Sequence, residues 1–553
     1  MNKRLLLFPL FFWFCLFFPN SSVYAQVSAG GIPPSTILSL PEDRNVATIA
    51  GPDLQVIQQE DRDNPLPYRY GVNLPVDYTP ENSGSWTNLA DGSRLWRLTV
   101  RIDGALGLSA CFDKFYIPAG GKLFLYNLRK SRVIGAFTFA NNSKRGFFAT
   151  ELLAGDQLTL EYLQPSGSSK DLQLHLSEIV FAYRGVSFPE NQKSVEGSAG
   201  ACEVNINCPE GKNWQLQKKG IVRISIKKGA SSFWCSGSLL NNVKMDHTPY
   251  ILTADHCGIS ATPDQLLQWV FYFDFEAPDC TNPLTPPTPK SLTGAVFIAE
   301  SGNGALTGSD FYLVELTAPI PSSYQVYYNG WDNRNIASHA GVGIHHPEGD
   351  IKKISTYSRY LETSIYGSNP SLSFWKVFWD QTVTGHGVTE PGSSGSAIFD
   401  TNGRIVGTLT GGESACDSAS LNLADYYGKF YWSWDLNGTD STRRLKDWLD
   451  PDSTGVHYID GLLLSVNEKA GKQTIRIYPN PFHETINVEW PGTGHALCRV
   501  EIYDFLGARV RNEDLSIGAN STASLQFPDL APGMYMLKVF SGDEVFCVKM
   551  IKQ

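Results

Sequence analysis

The sequence predicts an all-β protein built from several domains in series, and three observations support this. The chain has 553 residues, more than a single hydrophobic core organises. It contains 50 Gly and 32 Pro, the residues that punctuate turns. Between these turns lie short runs rich in Val, Thr, Tyr and Phe, the residues that fit a pleated sheet. Hydrophobic residues make up 42% and charged residues 18%, a balance for ordered globular domains rather than disorder. The net charge of −10, with no basic cluster, excludes a nucleic-acid partner as an expectation.

The first segment is an export signal over residues 1–25. Asn2-Lys3-Arg4 gives the positive start, residues 5–18 the apolar stretch, and Val23-Tyr24-Ala25 a small-residue cleavage site before Gln26. Cys15 is not a lipidation site, because the apolar stretch continues past it. No later segment is long and apolar enough to span a bilayer. An exported chain carries its remaining cysteines into an oxidising compartment.

Residues 26–193 read as a β-sandwich in the position of a pro-segment. Their strand patterns fall at 95–102, 122–126, 147–150 and 157–162, with turns at Pro118-Ala119-Gly120-Gly121 and Ala154-Gly155-Asp156. Residues 194–463 hold six of the nine cysteines outside the export signal and all the candidate catalytic groups. Near their end, 441–449 is predicted to be one short helix with Leu445, Trp448 and Leu449 on one face, stopped before Pro451. A polar linker follows at 464–476. Residues 477–553 form a small β-domain that begins Ile477-Tyr478-Pro479-Asn480-Pro481-Phe482. There is no internal repeat.

The chemistry rests on two motifs, Thr253-Ala254-Asp255-His256-Cys257 and Gly392-Ser393-Ser394-Gly395-Ser396. A serine between glycines in a tight turn offers its hydroxyl without obstruction, but it is a weak nucleophile until a base takes its proton. His256, at the end of an apolar strand, suits that task because its unperturbed pKa of about 6.5 lies near working pH. The protonated ring then needs a fixed anion. Asp310, in Gly308-Ser309-Asp310-Phe311-Tyr312-Leu313, enters an apolar strand where an unpartnered carboxylate is costly. Asp255 is nearer in sequence, yet an adjacent strand residue points to the opposite face. The N–H groups of Gly392 and Ser394 would form the oxyanion hole, where losing one donor typically costs about 3–4 kcal/mol.

Each feature alone has a plainer explanation: a flexible Gly/Ser turn, a structural His, a satisfied core Asp. Together, in the order His, Asp, Ser within an exported cysteine-bearing domain, they read as a serine hydrolase. His345-His346-Pro347 invites a metal, but adjacent strand histidines face opposite ways, and no C-x-x-C pair exists, so neither metal nor cofactor is expected. Phe430-Tyr431-Trp432 reads as core. Cysteine spacing alone does not select a disulfide connectivity.

Residues 197–462 resemble the bacterial lysyl endopeptidases, a branch of the chymotrypsin-like serine proteases. The matching stretches are 202–211, Cys235-Ser236-Gly237-Ser238-Leu239-Leu240-Asn241-Asn242, 252–258, Ile344-His345-His346-Pro347, 388–396 and Asp447-Trp448-Leu449-Asp450-Pro451. The resemblance implies two packed six-stranded barrels with His256, Asp310 and Ser394 in the cleft between them. It also implies the bridges Cys202–Cys416, Cys208–Cys280 and Cys235–Cys257. Asp425 takes the place of the Asp that pairs with a substrate lysine, and Thr410-Gly411-Gly412 that of the edge segment bound by substrate backbone. The chain departs from the family at Thr410, which replaces a His, and at Tyr366, which stands for a Trp. Both bear on the strictness of Lys over Arg.

The tail resembles the C-terminal sorting domain of the type IX secretion system. The features are Tyr478-Pro479-Asn480-Pro481-Phe482, Ile502-Tyr503-Asp504-Phe505-Leu506-Gly507, Pro532-Gly533-Met534-Tyr535 and the basic end Lys549-Met550-Ile551-Lys552-Gln553. This implies passage through the periplasm of a Gram-negative, Bacteroidota-type cell, and partnership with the type IX machinery. The expected protein is a monomeric, zymogen-encoded endopeptidase cutting protein and peptide substrates after lysine. A trypsin-like preference for Arg or for both, and a catalytically inactive surface adhesin, are the alternatives. Lys193, in the polar run Glu190-Asn191-Gln192-Lys193-Ser194, is the expected self-processing site.

Overall fold

The computed structural model describes residues 28–42, 45–64, 67–167, 172–185, 198–285, 287–464, 476–490, 496–503, 509–518, 521–541 and 544–553. The expected export signal, Lys193 and residues 465–475 of the expected linker lie outside them. The chain forms two compact units, residues 1–465 and 466–553. No helix among the described residues is long and apolar enough to cross a membrane.

The first unit opens with a β-sandwich. One sheet runs in the order Val46–Thr48, Arg94–Arg101, Gln157–Gln164, Lys122–Asn127 and Val133–Phe137, with Ser85–Asn88 also on Arg94–Arg101. The facing sheet pairs Tyr68–Tyr78, Gln173–Ala182 and Gly107–Tyr116. Strand alternation points Trp96, Leu98, Val100, Leu125 and Leu160 at Leu108, Phe112 and Ile179, and all eight are essentially inaccessible.

The second sheet does not stop at the sandwich. Tyr68–Tyr78 pairs antiparallel with Ser231–Leu240, with Val72 opposite Ser231 and Tyr68 opposite Trp234. Tyr70 stacks on Trp234 with ring centroids 4.0 Å apart, and its hydroxyl meets Ser225 Oγ at 2.7 Å. Leu152 N donates to the Tyr272 hydroxyl, and Trp234 Nε1 to Gly185 O at 2.8 Å. The sequence reading treats residues 26–193 as a sandwich of their own. Here their sheet continues into the next one, through strands more than 150 residues apart.

That next sheet rolls into a barrel. Ile221–Lys228, Ser231–Leu240, Tyr250–Ala254 and Phe311–Leu316 pair in series, followed by Ala295–Glu300. Lys290–Thr293 leads into Ala295–Glu300 through Gly294, at φ +94°, and pairs with Val270–Phe273, which returns to Ile221–Lys228. The ring is closed around Ile224, Ile251, Phe271 and Val314. A second, near-closed barrel runs Lys353–Tyr357, Gly341–His345, Ala397–Phe399, Ile405–Gly412, Asp425–Lys429, Asn369–Val377 and Glu362–Tyr366. Between the barrels, Leu252, Leu313, Ile344 and Ala397 share one core.

The predicted helix at 441–449 is split. A 3₁₀ turn, Ser441–Arg443, is separated from the helical turn Lys446–Leu449 by Arg444, which is extended at φ −152°. Asp440 caps the first turn, and Leu445 and Leu449 are fully buried while Trp448 packs at the rim. The apolar period is right, but it does not reveal a one-residue break. Of the run read as core, Phe430 is buried and stacked on Trp331 at 5.7 Å, whereas Tyr431 and Trp432 are only half-buried.

The second unit is a small sandwich of two sheets. Arg476–Tyr478, Thr485–Trp490 and Ser521–Gln526 form one, and Arg509–Ile517, Ala496–Tyr503, Gly533–Ser541 and Glu544–Lys552 the other. Phe482, Val488, Val500, Phe527 and Val539 fill its core. The chain is all-β.

Candidate active site

The strand Tyr250–Ala254 is buried along its whole length and ends in a single helical turn, Asp255–Gly258. The turn swings His256 to Asp310, whose Oδ2 lies 2.7 Å from His256 Nδ1. Asp310 Oδ1 accepts from the His256 backbone N–H at 3.0 Å, so one carboxylate holds both ring and main chain of the same residue. Asp310 is fully buried and left-handed at φ +54°, a conformation Asp tolerates better than most side chains, immediately before Phe311–Leu316. The other ring nitrogen, His256 Nε2, is buried and has no hydrogen-bond partner among the described residues.

Asp255 does face away from the ring, but not because of strand alternation. It lies in the helical turn, and its Oδ2 accepts from Gly304 N at 2.9 Å and Ser301 Oγ at 3.2 Å. Burial first, then the charges of Asp310 and Glu300, raise its carboxyl to about 7.

The Ser394 turn is wedged, main chain to main chain, against the strands that lead to His256. Ser236 N donates to Ser394 O at 2.8 Å, and Ser236 Oγ to Gly392 O at 3.1 Å. A Cβ on Gly395, at φ +82°, would lie 2.1 Å from Thr253 Oγ1 and 2.5 Å from Ser236 O. A Cβ on Gly392, at φ +96°, would lie 2.9 Å from Glu348 N. Both positions therefore require glycine. The N–H groups of Ser393, Gly395 and Ser396 are engaged by Glu390, Leu409 and Ser393 carbonyls. Those of Gly392 and Ser394 find no acceptor among the described residues. Two free donors flanking a serine make a cradle for developing negative charge.

Asp425 starts the strand Asp425–Lys429 and is wholly inaccessible. Its Oδ2 accepts from Trp379 Nε1 at 2.6 Å, Thr389 Oγ1 at 2.7 Å and Ser414 Oγ at 2.6 Å. Its Oδ1 accepts from Ser414 N at 3.2 Å. Every one of these donors is neutral. Burial raises its pKa, and the hydrogen bonds oppose that rise. Thr410-Gly411-Gly412 lies on the neighbouring strand, with Gly412 opposite Asp425 and Gly411 opposite Tyr426. A Cβ on Gly412 would reach within 1.9 Å of Asp425 Oδ1. Tyr366 packs on Tyr426 at 5.3 Å and Phe374 at 5.6 Å, near enough for the charges of Asp310 and Asp425 to raise its phenol further after burial has done so.

His345 and His346 bond to different partners: His345 to Ser393 Oγ and Ser355 Oγ, His346 Nδ1 to Asp350 O. The disulfides are Cys202–Cys416, Cys208–Cys280 and Cys235–Cys257, the pairings the family resemblance implies. The last ties the His256 turn to the strand that carries Ser236. The sequence reading missed Trp379, Thr389 and Ser414 around Asp425, and the bonding of His345 to Ser393. Thr389 had a signal in its closeness to the Ser394 motif; the others come together only by folding.

Residues 196–428 match the family described as lysyl endopeptidase, C-terminal domain, and residues 476–553 match the secretion system C-terminal sorting domain. A lysyl endopeptidase of Pseudomonas aeruginosa is 24% identical over 384 residues, covering 66% of this chain and 79% of that protein. Three solved structures align weakly. A thermostable serine protease from an extremophilic microorganism shares 13% identity over 39% of this chain and 92% of its own, at TM-score 0.29. A protease of Arthrobacter nicotinovorans shares 17% over 39% and 91%, at 0.27. A serine endoprotease of Yersinia pestis shares 13% over 62% and 96%, at 0.26. With residues 196–428 matching the lysyl endopeptidase C-terminal domain and 476–553 a type IX secretion sorting domain, this chain is a secreted or cell-surface serine endopeptidase.

Proposed function

We propose that the protein hydrolyses polypeptides on the carboxyl side of lysine through an acyl-enzyme on Ser394. Ser394 Oγ attacks the scissile carbonyl as His256 Nε2 takes its proton. Asp310 keeps the other ring nitrogen protonated and balances the imidazolium that forms. The carbonyl oxygen gains its charge between the N–H groups of Gly392 and Ser394. Collapse of this intermediate breaks the C–N bond, and His256 hands its proton to the leaving amine. A water molecule, deprotonated by the same ring, then releases the acid and restores Ser394. Thr410-Gly411-Gly412 takes the substrate backbone as an added strand.

Asp425 carries the reading of specificity. A carboxylate with all its near donors neutral, and no cation paired with it among the described residues, favours a substrate cation as its partner. Asp425→Asn removes that counter-charge. The expected cost is about 2–5 kcal/mol, or roughly 30- to 5000-fold in kcat/KM on lysyl peptides. Peptide termini left by wild type and variant on a denatured protein digest decide it. Wild-type efficiency in the variant removes Asp425 from the pocket; equal cleavage after Lys and Arg shows that the pocket reads charge and not shape. For delivery, residues 1–25 would take the chain into the periplasm and residues 476–553 across the outer membrane.

A further inference from the structure

His345 ends the strand Gly341–His345, which pairs with Ala397–Phe399, the strand that starts just after the Ser394 turn. Its ring is fully buried, and each nitrogen meets a hydroxyl: Nδ1 lies 2.8 Å from Ser393 Oγ and Nε2 3.0 Å from Ser355 Oγ. Proton directions in this chain are fixed. Ser355 Oγ donates to Val388 O at 2.7 Å, so it can only accept from the imidazole, and Nε2 carries the ring proton. Nδ1 is then an acceptor, and the Ser393 hydroxyl donates to it. Ser393 Oγ in turn accepts from Glu390 N at 3.3 Å, while Ser393 N donates to Glu390 O at 2.9 Å.

The result is a clasp. Residues 390 and 393 are bonded twice, and the only proton left over in the clasp goes to His345. Ser393 is also the residue whose peptide group supplies the Ser394 N–H, and its own carbonyl accepts from Ser396 N at 2.9 Å. Any rotation of Ser393 therefore turns one arm of the charge cradle.

We propose that His345 is a positioning residue for this enzyme: by accepting the Ser393 hydroxyl proton at Nδ1 it fixes the peptide that presents the Ser394 N–H to the oxyanion. The proposal rests on the reading of Ser394 as nucleophile. Burial first, and the nearby Lys353 charge second, lower the ring to about 3, so the imidazole is neutral at working pH and keeps one acceptor nitrogen. Glu203 Oε2, at 3.9 Å from Nε2, is too far to take the proton from Ser355.

The test uses the processed enzyme secreted from the full chain and a pair of amide replacements that separate the two ring nitrogens. Asn places its carbonyl oxygen near the position of Nδ1, and Gln places its amide near Nε2. His345→Gln and Ser393→Ala are expected to lower kcat on a lysyl peptide amide, on the order of 10- to 100-fold, as a slightly misplaced donor does. KM should stay within about twofold, because the Asp425 pocket is untouched. His345→Asn should recover most of the kcat lost in His345→Gln. The double variant His345→Gln/Ser393→Ala should be no worse than Ser393→Ala alone. Inhibition by a peptidyl lysine aldehyde, whose hemiacetal oxygen occupies the cradle, should weaken in step with kcat.

Additive losses in the double variant, a rise in KM with kcat unchanged, or wild-type kcat in His345→Gln each overturn the proposal. If His345→Gln does not fold, an undiminished kcat in Ser393→Ala overturns it alone. Ser394→Ala is assayed beside them. Full activity there overturns the reading of the site itself, whereas an inactive Ser394→Ala beside a fully active His345→Gln rejects only the role of His345.

Discussion

Asp255 and Asp310 flank one histidine, and their surroundings give them opposite tasks. Asp310 has two N–H partners on His256 and stays useful only as an anion. Asp255 accepts from one hydroxyl and one peptide N–H, and its Oδ1 has no hydrogen-bond partner among the described residues, which suits a neutral acid. Asp310→Asn should cost kcat about four orders of magnitude by favouring the wrong tautomer of His256. Asp255→Asn should be far milder, and the reverse ranking in steady-state kinetics would show that the orienting carboxylate had been misassigned. The raised Asp255 carboxyl also predicts a sign for stability. The folded protein keeps a proton that the unfolded chain releases above about pH 4, so this group makes stability fall as pH rises from about 4 to about 7. Asn has no such proton. Thermal melts at about pH 5 and about pH 8 should show a smaller drop for Asp255→Asn than for wild type. At this scale the sequence disclosed much, because His256 and Ser394 sit in compact local motifs and Asp310 breaks an apolar run. It did not disclose Trp379 or Ser414 beside Asp425, because no local pattern links residues brought together from three separate segments of the chain, two of them outside any strand.

The strand Ser231–Leu240 does more than any other element to hold the site. Trp234 faces the N-terminal sandwich, Cys235 is bonded to the His256 turn, and Ser236 grips the Ser394 turn by both N–H and hydroxyl. Replacing both Cys235 and Cys257 by Ala should lower stability by about 2–4 kcal/mol, as closing a loop of 22 residues implies. Activity should fall further than that loss implies in conditions where the protein stays folded, because the His256 turn is then held to this strand by fewer links. Denaturant titration with a parallel kcat measurement separates the two effects. Elements were less legible than residues. The period at 441–449 located Leu445 and Leu449 but not the extended Arg444 between the turns. Tyr68–Tyr78 carries Pro75 and weak alternation, and its identity as a strand is set by two distant partners, Gln173–Ala182 and Ser231–Leu240.

On the scale of the whole molecule, the all-β architecture and the order of parts followed from turn residues and motif positions. The join between sandwich and barrel did not, since pairing across more than 150 residues leaves no trace in either strand alone. Tyr70 on Trp234, and Thr293 Oγ1 donating to Ala149 O, make that join a buried interface. Cleavage between residues 186 and 197 should therefore leave two fragments that co-elute in gel filtration under native conditions and part only in denaturant. Separate elution would show that the shared sheet does not outlast the cut. N-terminal sequencing of wild type and of Ser394→Ala tests whether the enzyme makes that cut at Lys193. An intact junction only in Ser394→Ala supports self-cleavage, and identical processing in both refutes it.

The continuous sheet also ties the fate of the enzyme to dilution. While the chain is intact, the sandwich meets Ser231–Leu240 at a tethered local concentration on the order of millimolar, and one template accompanies each protease at fixed stoichiometry. Once the tether is cut, the same contact becomes an ordinary bimolecular equilibrium. Crowded secretions would keep the pair together, and dispersal into open fluid would release it, uncovering the edge of the barrel at Trp234.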